Sequence, residues 1–374
     1  MPSSPFCRLI AGLATIILLA YAPVLAPRST AAENSSLEPG PTMIHPRAAH
    51  TATTLPDGRV LIAGGCTVDS CELSADGATT EFFDPAHEAF TAGPPLSVPR
   101  VSHAALRLRD GQVMVIGGWT PDGPTRTTEI FDPATSSWTP GPEMAAPRAD
   151  AAVTMLKDGR VLVAGGYDGN EPLASSELYD PETNTFVPAG DMTMPRTSHA
   201  SVTLLDGTVL IVGGSDRDDH VVASAELFDP DTMAFTTTGS MSKSRYKFGA
   251  VLLDSGEALV VAGTDERDAG GALATTERYA PQTGKFSAGP TLHAPRYKIA
   301  GSLVVMPDGG VLVGGGAQTV ETLKGDGSTQ IAPQLGSAHF FPAASLLADG
   351  RVLITGGYTP ELDVSAMAWL VQSD

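Results

Sequence analysis

The feature that most constrains this chain is a pattern repeated seven times along its length. Each copy contains a hydrophobic stretch, a tight turn, a second hydrophobic stretch and, in six copies, a pair of glycines. Repetition at an interval of 20 to 50 residues indicates supersecondary units that bury their cores against their neighbours. The turns are Asp57-Gly58, Asp110-Gly111, Asp158-Gly159, Asp206-Gly207, Ser255-Gly256, Asp308-Gly309 and Asp349-Gly350.

The local chemistry of each copy predicts four short antiparallel strands. An Asp-Gly pair between two β-rich runs favours a hairpin, because both turn residues must reach positive φ. The run after the turn, such as RVLVAGG at 160–166, is continuously apolar, as in a strand buried on both faces. A third strand follows at TEFFDP (80–85) and its counterparts, and an aromatic residue such as Trp138 begins a fourth. Four such strands form one blade of a β-propeller.

The register of the repeats gives the domain organisation. Blades begin at Arg47, Arg100, Arg148, Arg196, Arg245, Arg296 and His339. The seventh copy stops after a third strand, while residues 37–43 (LEPGPTM) match the fourth-strand end WTPGPEM at 138–144. We therefore predict an all-β, seven-bladed propeller over residues 33–374, whose last blade is closed by the strand at 37–43. Such closure removes the exposed sheet edges.

The order Asp-Gly, Gly-Gly, Glu-x-Tyr/Phe-Asp-Pro and then an aromatic resembles the kelch repeat, in particular that of bacterial and galactose-oxidase-like propellers. The resemblance is specific in five copies: four carry every element, and the fifth has Ser255-Gly256, Gly263-Thr264 and Ala280-Pro281 in place of the three pairs. In the sixth, Glu321 is present but no Asp-Pro or aromatic residue follows. The resemblance implies a kelch-type propeller, a fold that serves both enzymes and binding modules.

Residues 1–32 have the features of a secretory signal peptide. Arg8 precedes an almost wholly apolar run from Leu9 to Ala26, and Thr30-Ala31-Ala32 offers small residues for cleavage. An uncleaved membrane anchor is the alternative, but Pro23 interrupts the run. We predict an exported protein, secreted or periplasmic, that does not remain inserted in a membrane.

The charge of the chain limits its partners. The formal net charge is −19 at pH 7. Such an acidic protein is unsuited to nucleic acid, because the phosphate backbone would be repelled. The charge is compatible with basic proteins, cations or neutral ligands. We expect a protein or a carbohydrate as the partner, and we expect the propeller to act as a monomer.

Two of the three cysteines predict a local disulfide. Cys66 and Cys71 are separated by four residues in a chain predicted to reach an oxidising compartment. Closing so small a loop stabilises by about 2 kcal/mol at most, so we expect the bond to shape the loop.

Residues that recur in register are expected to be structural, since every blade needs them. The arginines that open six blades are matched by six third-strand glutamates: Glu81, Glu129, Glu177, Glu226, Glu277 and Glu321. An arginine ring that binds an anion is the alternative to Arg–Glu pairs that tie the blades together. His50, His103 and His199 each follow the arginine by three residues, which favours a structural role over a metal site.

Residues that depart from the repeat on loops are candidates for ligand binding. Trp119, Tyr167 and Tyr358 directly follow glycine pairs, and Asp168 follows Tyr167. Tyr246-Lys247 and Tyr297-Lys298 stand where most other blades carry small residues. These eight residues predict a ligand-binding face at one end of the channel.

A binding module is favoured over an enzyme. Galactose-oxidase-like enzymes use Tyr, Cys and His around copper in a larger protein, whereas both cysteines here lie in one loop. We therefore expect no copper, no other metal and no other cofactor. Bacterial sialic-acid mutarotases also resemble this pattern but have six blades. The sequence shows no nucleophile, base and orienting group at recognisable spacing, so we assign no catalytic residue. Acid/base chemistry on sugars at the channel mouth remains the alternative.

Overall fold

The computed structural model describes residues 37–266 and 270–372, and the signal-like segment 1–32 lies outside them. Seven four-stranded antiparallel sheets follow one another along the chain, as predicted. The strands of blades 1 to 3 are Thr51–Thr54, Val60–Ala63, Thr80–Asp84 and Ala89–Gly93; Ala104–Arg107, Val113–Ile116, Thr128–Asp132 and Ser137–Pro140; and Ala152–Met155, Val161–Ala164, Ser175–Asp180 and Thr185–Asp191. Those of blades 4 to 6 are Ala200–Thr203, Val209–Val212, Ala225–Asp229 and Ala234–Thr237; Gly249–Leu252, Ala258–Val261, Thr276–Ala280 and Lys285–Ala288; and Leu303–Val305, Val311–Val313, Thr319–Leu323 and Thr329–Gln334.

The core lies between the blades. The second strand of every blade is fully buried, for example Val161–Ala164, which explains its uninterrupted apolar sequence. Its side chains pack against the flanking blades in separate clusters, such as the one that joins Leu162 to Val209 and Ile211 of the next blade. Blade 6 has a complete fourth strand although its sequence lacks the Asp-Pro and aromatic signals, because Thr329–Gln334 pairs with Thr319–Leu323.

Blade 7 is closed by the N-terminal strand, as predicted. Its strands are Leu37–Pro39, Ala343–Leu346, Val352–Thr355 and Ala368–Val371, and Leu37 to Pro39 pair antiparallel with Val371 to Trp369. The regular ladder is shorter than the predicted 37–43, because Pro41 has no N–H to donate. Single hydrogen bonds from the amides of Gly40 and Met43 to blade 7 extend the contact beyond it.

Two short 3₁₀ turns, Asp69–Cys71 and Ala75–Ala78, and a two-stranded ribbon of Trp119–Thr120 with Gly123–Pro124 complete the described structure. Within residues 37–266 and 270–372, no helix is long and apolar enough to cross a membrane.

Where a blade has a glycine pair, the pair contacts the segment that leads into the first strand of the next blade. In blade 3, a Cβ on Gly165 would lie 2.5 Å from the carbonyl oxygen of Arg196 and 2.8 Å from Cε1 of His199, and its φ is +61°. The amide of Gly166 donates to the same Arg196 carbonyl at 3.0 Å. The pair is therefore glycine because the neighbouring backbone approaches too closely for any side chain.

Candidate functional site

Seven residues form a closed ring where the chain enters the first strand of each blade. Each lies two positions after the residue that opens its blade, and each has φ between 51° and 60°. We call this set the mouth ring: Ala49, Ser102, Asp150, Ser198, Lys247, Lys298 and Phe341.

Backbone hydrogen bonds join the mouth ring from blade to blade. The amide of Ser198 donates to the carbonyl of Asp150 at 3.0 Å, and the amide of Ala49 donates to that of Phe341 at 3.0 Å across the closure of the propeller. Left-handed backbone is unfavourable for side-chain-bearing residues by about 1–2 kcal/mol each. At six of the seven positions, Ala49, Ser102, Asp150, Ser198, Lys298 and Phe341, the amide donates to the mouth-ring carbonyl of the preceding blade, so these hydrogen bonds offset the strain.

Every mouth-ring residue except Lys298 lines a cavity of about 190 Å³ in the central channel. Cavities of about 150 Å³ already admit a molecule the size of benzene, so this volume suits one small ring-shaped ligand. The cavity is lined by mouth-ring residues, including Asp150 and Phe341. It is also lined by His103 and His199, each of which directly follows a mouth-ring serine in the chain.

Asp150 is held beside the cavity by groups from two blades. The indole Nε1 of Trp119 donates to its Oδ2 at 3.3 Å, and Trp119 stacks on Tyr167 with ring centroids 5.7 Å apart. Desolvation raises the pKa of Asp150, while Lys247 and hydrogen bonds from Trp119 and Ser102 act in the opposite direction. The carboxyl group thus has a higher proton affinity than an exposed aspartate and is fixed in position.

Lys247 and Lys298 lie among aromatic rings at the opposite side of the mouth. The Nζ of Lys247 is 4.7 Å from the ring centre of Tyr246, and that of Lys298 is 4.9 Å from Tyr297 and 5.0 Å from Tyr358. Lys298 also donates to the hydroxyl of Tyr358. Cation–π contacts of this kind are worth about 2 kcal/mol or more when desolvated. Burial raises the pKa of Tyr358, so the phenol stays protonated beside the ammonium group.

The structure therefore brings together seven of the eight predicted ligand residues, but it presents them unequally. Tyr167 and Tyr297 are half-buried, whereas Trp119, Tyr246, Lys247, Lys298 and Tyr358 are less than 10% exposed. The buried members support the mouth. Asp168 does not face it: its Oδ1 accepts from the amides of Asn170 and Glu171 and shapes its own loop.

The disulfide between Cys66 and Cys71 is confirmed and lies in the wall of the mouth. Both cysteines belong to an apolar cluster that contains Trp119 and Tyr358. The loop that it closes also contacts blade 7, since the amide of Ser70 donates to the carbonyl of Leu362 at 3.0 Å.

The repeated charges lie within the blades. Six buried Arg–Glu pairs have N–O distances of 2.6–3.0 Å: Arg47–Glu81, Arg100–Glu129, Arg148–Glu177, Arg196–Glu226, Arg245–Glu277 and Arg296–Glu321. The backbone of each arginine meets the preceding blade while its side chain enters its own blade, as with the hydrogen bonds from Arg148 to Thr125 and to Gly165. This arrangement joins neighbouring blades and keeps all six of these arginines buried.

Sequence reasoning missed Asp150, Ser102, Ser198 and Phe341. Their signal was present in the repeat: aligned on the blade-opening residue, Asp150 is the one acidic residue at its position, and Phe341 the one aromatic residue. Polarity alone did not reveal them, because serines and aspartates also occupy ordinary turns throughout the chain.

Within the part of the chain that the structure describes, no three His, Cys, Asp or Glu side chains come close enough to hold an ion. His50 and His103 instead contact threonine hydroxyls of the preceding blade, Thr355 and Thr51, at 2.8 and 3.2 Å.

Comparisons with known proteins define the class of the fold. A novel fungal alcohol oxidase of the AA5 family, solved in complex with copper, is 18% identical with a TM-score of 0.74, over 90% of this chain and 76% of the oxidase. The structure of YjhT is 14% identical with a TM-score of 0.57, over 89% of this chain and 99% of YjhT. At these identities the likeness concerns the fold alone, and the chain is a seven-bladed β-propeller.

The repeats specify the kind of propeller. The family model of the kelch motif matches residues 100–145 and 147–193, which are blades 2 and 3. None of the curated protein sequences matches the chain. The protein is a kelch-repeat β-propeller, as its glycine pairs and third-strand glutamates predicted.

Proposed function

We propose that this protein is an exported, monomeric binding module that holds a carbohydrate at the mouth of its central channel. One observation carries the proposal: Phe341 and Asp150 line the same small cavity from opposite sides of the mouth ring. A sugar ring has apolar C–H faces and polar hydroxyl edges, so it requires an aromatic surface together with hydrogen-bonding groups at the edge. Pockets with few convergent polar groups on an apolar wall are typical ligand sites.

The polar half of the ring suits hydroxyl groups. Ser102, Asp150 and Ser198 come from three consecutive blades and all border the cavity. The position of the Asp150 carboxyl is fixed by Trp119, which lowers the entropy cost of binding. A site built to hydrogen-bond a substrate hydroxyl discriminates strongly against analogues that lack it, because its polar groups would be left unpaired.

Binding of a panel of monosaccharides by isothermal titration calorimetry tests the proposal. We expect Asp150→Asn and Phe341→Ala each to weaken binding about tenfold, by loss of one charge-assisted hydrogen bond or of one stacking surface. Asp132→Asn is the matched control, because Asp132 caps a turn at the amide of Ala134. No binding of any sugar by the unmodified protein would refute the function.

Export is supported by the signal-like segment 1–32 and by the Cys66–Cys71 disulfide. Fractionation of cells that express the full chain tests it: the protein should leave the cytoplasm with its N-terminal segment removed. Retention of a full-length chain in the cytoplasm would contradict this part of the proposal.

Acid/base chemistry on a sugar is the second candidate, favoured by the raised pKa of Asp150 at the cavity. A carboxyl group whose pKa is closer to neutrality is a better proton donor and acceptor at physiological pH. In this case the interconversion of sugar anomers, followed by proton NMR, should be faster with the protein than without it. It should return to the uncatalysed rate with Asp150→Asn.

A further inference from the structure

His199 differs from the other two repeated histidines in what surrounds its imidazole. All three rings are buried, and each packs with Cε1 against the first glycine of the preceding blade's pair. Nε2 of His50 contacts Thr355 and Nε2 of His103 contacts Thr51, but neither ring nitrogen of His199 has a hydrogen-bond partner. The Ala164 carbonyl lies near the ring and acts to raise the pKa of His199, but the contact does not have the geometry of a hydrogen bond.

The repeat explains this difference. The histidine of one blade faces a cross-strand pair formed by the first and second strands of the preceding blade. That pair is Ala343–Thr355 opposite His50 and Thr51–Ala63 opposite His103, so each contains one threonine. Opposite His199 the pair is Ala152–Ala164, and the hydroxyl is missing.

His199 also borders the cavity described above, together with Asp150 and Ser198. A buried polar group without a partner costs about 1–3 kcal/mol, so such a group in a cavity wall is suited to a ligand that supplies the missing partner. Burial and the nearby Arg196 lower the pKa of His199 to about 3, which keeps the ring neutral. A neutral imidazole donates at one nitrogen and accepts at the other, as a hydroxyl group requires.

We infer that His199 is the inner hydrogen-bonding point of the ligand site and takes a hydroxyl group of the carbohydrate, in the place that a threonine fills for His50 and His103. This inference rests on the proposed function and adds a second polar contact, below the mouth ring, to that of Asp150. It assigns a specificity role: a sugar that lacks the hydroxyl directed into the channel binds less well.

Ala152→Thr is the sharpest variant, because it restores the hydroxyl that blade 1 supplies at the same position. The threonine hydroxyl should form a hydrogen bond with the imidazole and so compete with the ligand, while His199 itself is retained. We expect about tenfold weaker binding of whichever of D-glucose, D-galactose, D-mannose and N-acetyl-D-glucosamine the unmodified protein binds. Ala164→Thr, which copies blade 7, is the second variant if Ala152→Thr does not fold.

The site is followed by NMR of protein labelled with ¹⁵N at histidine and tryptophan, titrated with the same four sugars. The inference predicts saturable shifts of the ring nitrogens of His199 and little change at His50 and His103, whose signals also report folding. Shifts at Trp119 with none at His199 would overturn the inference and leave the proposed function standing, as water would then satisfy the ring. No shift at either residue with any sugar would overturn both.

Discussion

The Nη2 atom of Arg148 lies 2.9 Å from Oε1 of Glu177, and both side chains are buried. Nη1 of Arg148 donates to the carbonyls of Gly165 and Ser175, and Oε2 of Glu177 accepts from the amide of Ala145. A buried ion pair is tolerated when such hydrogen bonds satisfy its remaining polar atoms. The same buried Arg–Glu pair recurs in six blades. These six arginines are among the largest fully buried side chains of the protein, and their role is structural.

Arg148→Met should lower the free energy of unfolding by about 3–5 kcal/mol, because Glu177 is left as an uncompensated buried charge. Urea denaturation measures this loss. The control is Arg126→Met: Nε of Arg126 lies 2.9 Å from Glu143, but both side chains are more than half exposed. An exposed pair contributes about 1 kcal/mol or less. Equal effects of the two substitutions would contradict the structural role of the buried pair.

Removal of residues 1–43 should open the seventh blade. The third strand Ala368–Val371 would lose its partner Leu37–Pro39, and the buried Met43 would be lost with it. Loss of a buried methionine alone costs about 2–5 kcal/mol, and an exposed strand edge promotes association. Thermal unfolding and size-exclusion chromatography report both effects. A chain that begins at residue 37 keeps the strand and should behave as the unmodified protein; instability of both chains alike would argue against the closure.

Stability should fall as the pH decreases from about 6.5 toward 3. Burial, aided by neighbouring arginines, lowers the pKa of His50, His103 and His199 to about 3 in the folded protein. In this interval the unfolded chain binds protons at these histidines and the folded chain does not, so protonation favours unfolding. Each histidine contributes a slope of about 1.4 kcal/mol per pH unit.

Urea denaturation at several pH values measures that slope in the unmodified protein and in His103→Gln. The substitution should reduce the slope by the contribution of one histidine, whatever its effect on stability at pH 7. His87→Gln is the control, because His87 is largely exposed on a turn. An unchanged slope in His103→Gln would show that the buried ring takes up its proton without unfolding.

Replacement of both Cys66 and Cys71 by Ser should cost about 2 kcal/mol at most, because the loop that they close is short. The larger effect should be local. The amide of Val364 donates to Asp69 in this loop, so its hydrogen exchange should accelerate when the loop loosens. Amides of the distant strand Val209–Val212 provide the comparison. Uniform acceleration across all blades would show that the disulfide acts on global stability instead.

The fold could be predicted almost completely from the sequence. A period of four short strands, Asp-Gly turns and glycine pairs depends on local backbone chemistry, and local chemistry is visible in neighbouring letters. The closing strand was found because residues 37–43 repeat a pattern found elsewhere in the chain. The disulfide followed from the spacing of Cys66 and Cys71. The weak sixth copy still forms a blade, since pairing with Thr319–Leu323 compensates for its missing signals.

The site depended on contacts between blades, which no single repeat contains. The sequence alone predicted Tyr167, Tyr297 and Trp119 equally as ligand-binding residues. In the structure Trp119 is buried, and it supports Asp150 through a hydrogen bond. Likewise, three histidines at one repeat position looked equivalent. Only the tertiary structure decided that two of them meet a threonine of the preceding blade and that His199 meets two alanines. The sequence determined the blades, because strands and turns depend on residues that are close together in the chain. Only the closure of the ring of blades decided which side chains share one cavity, because those residues are far apart in the chain.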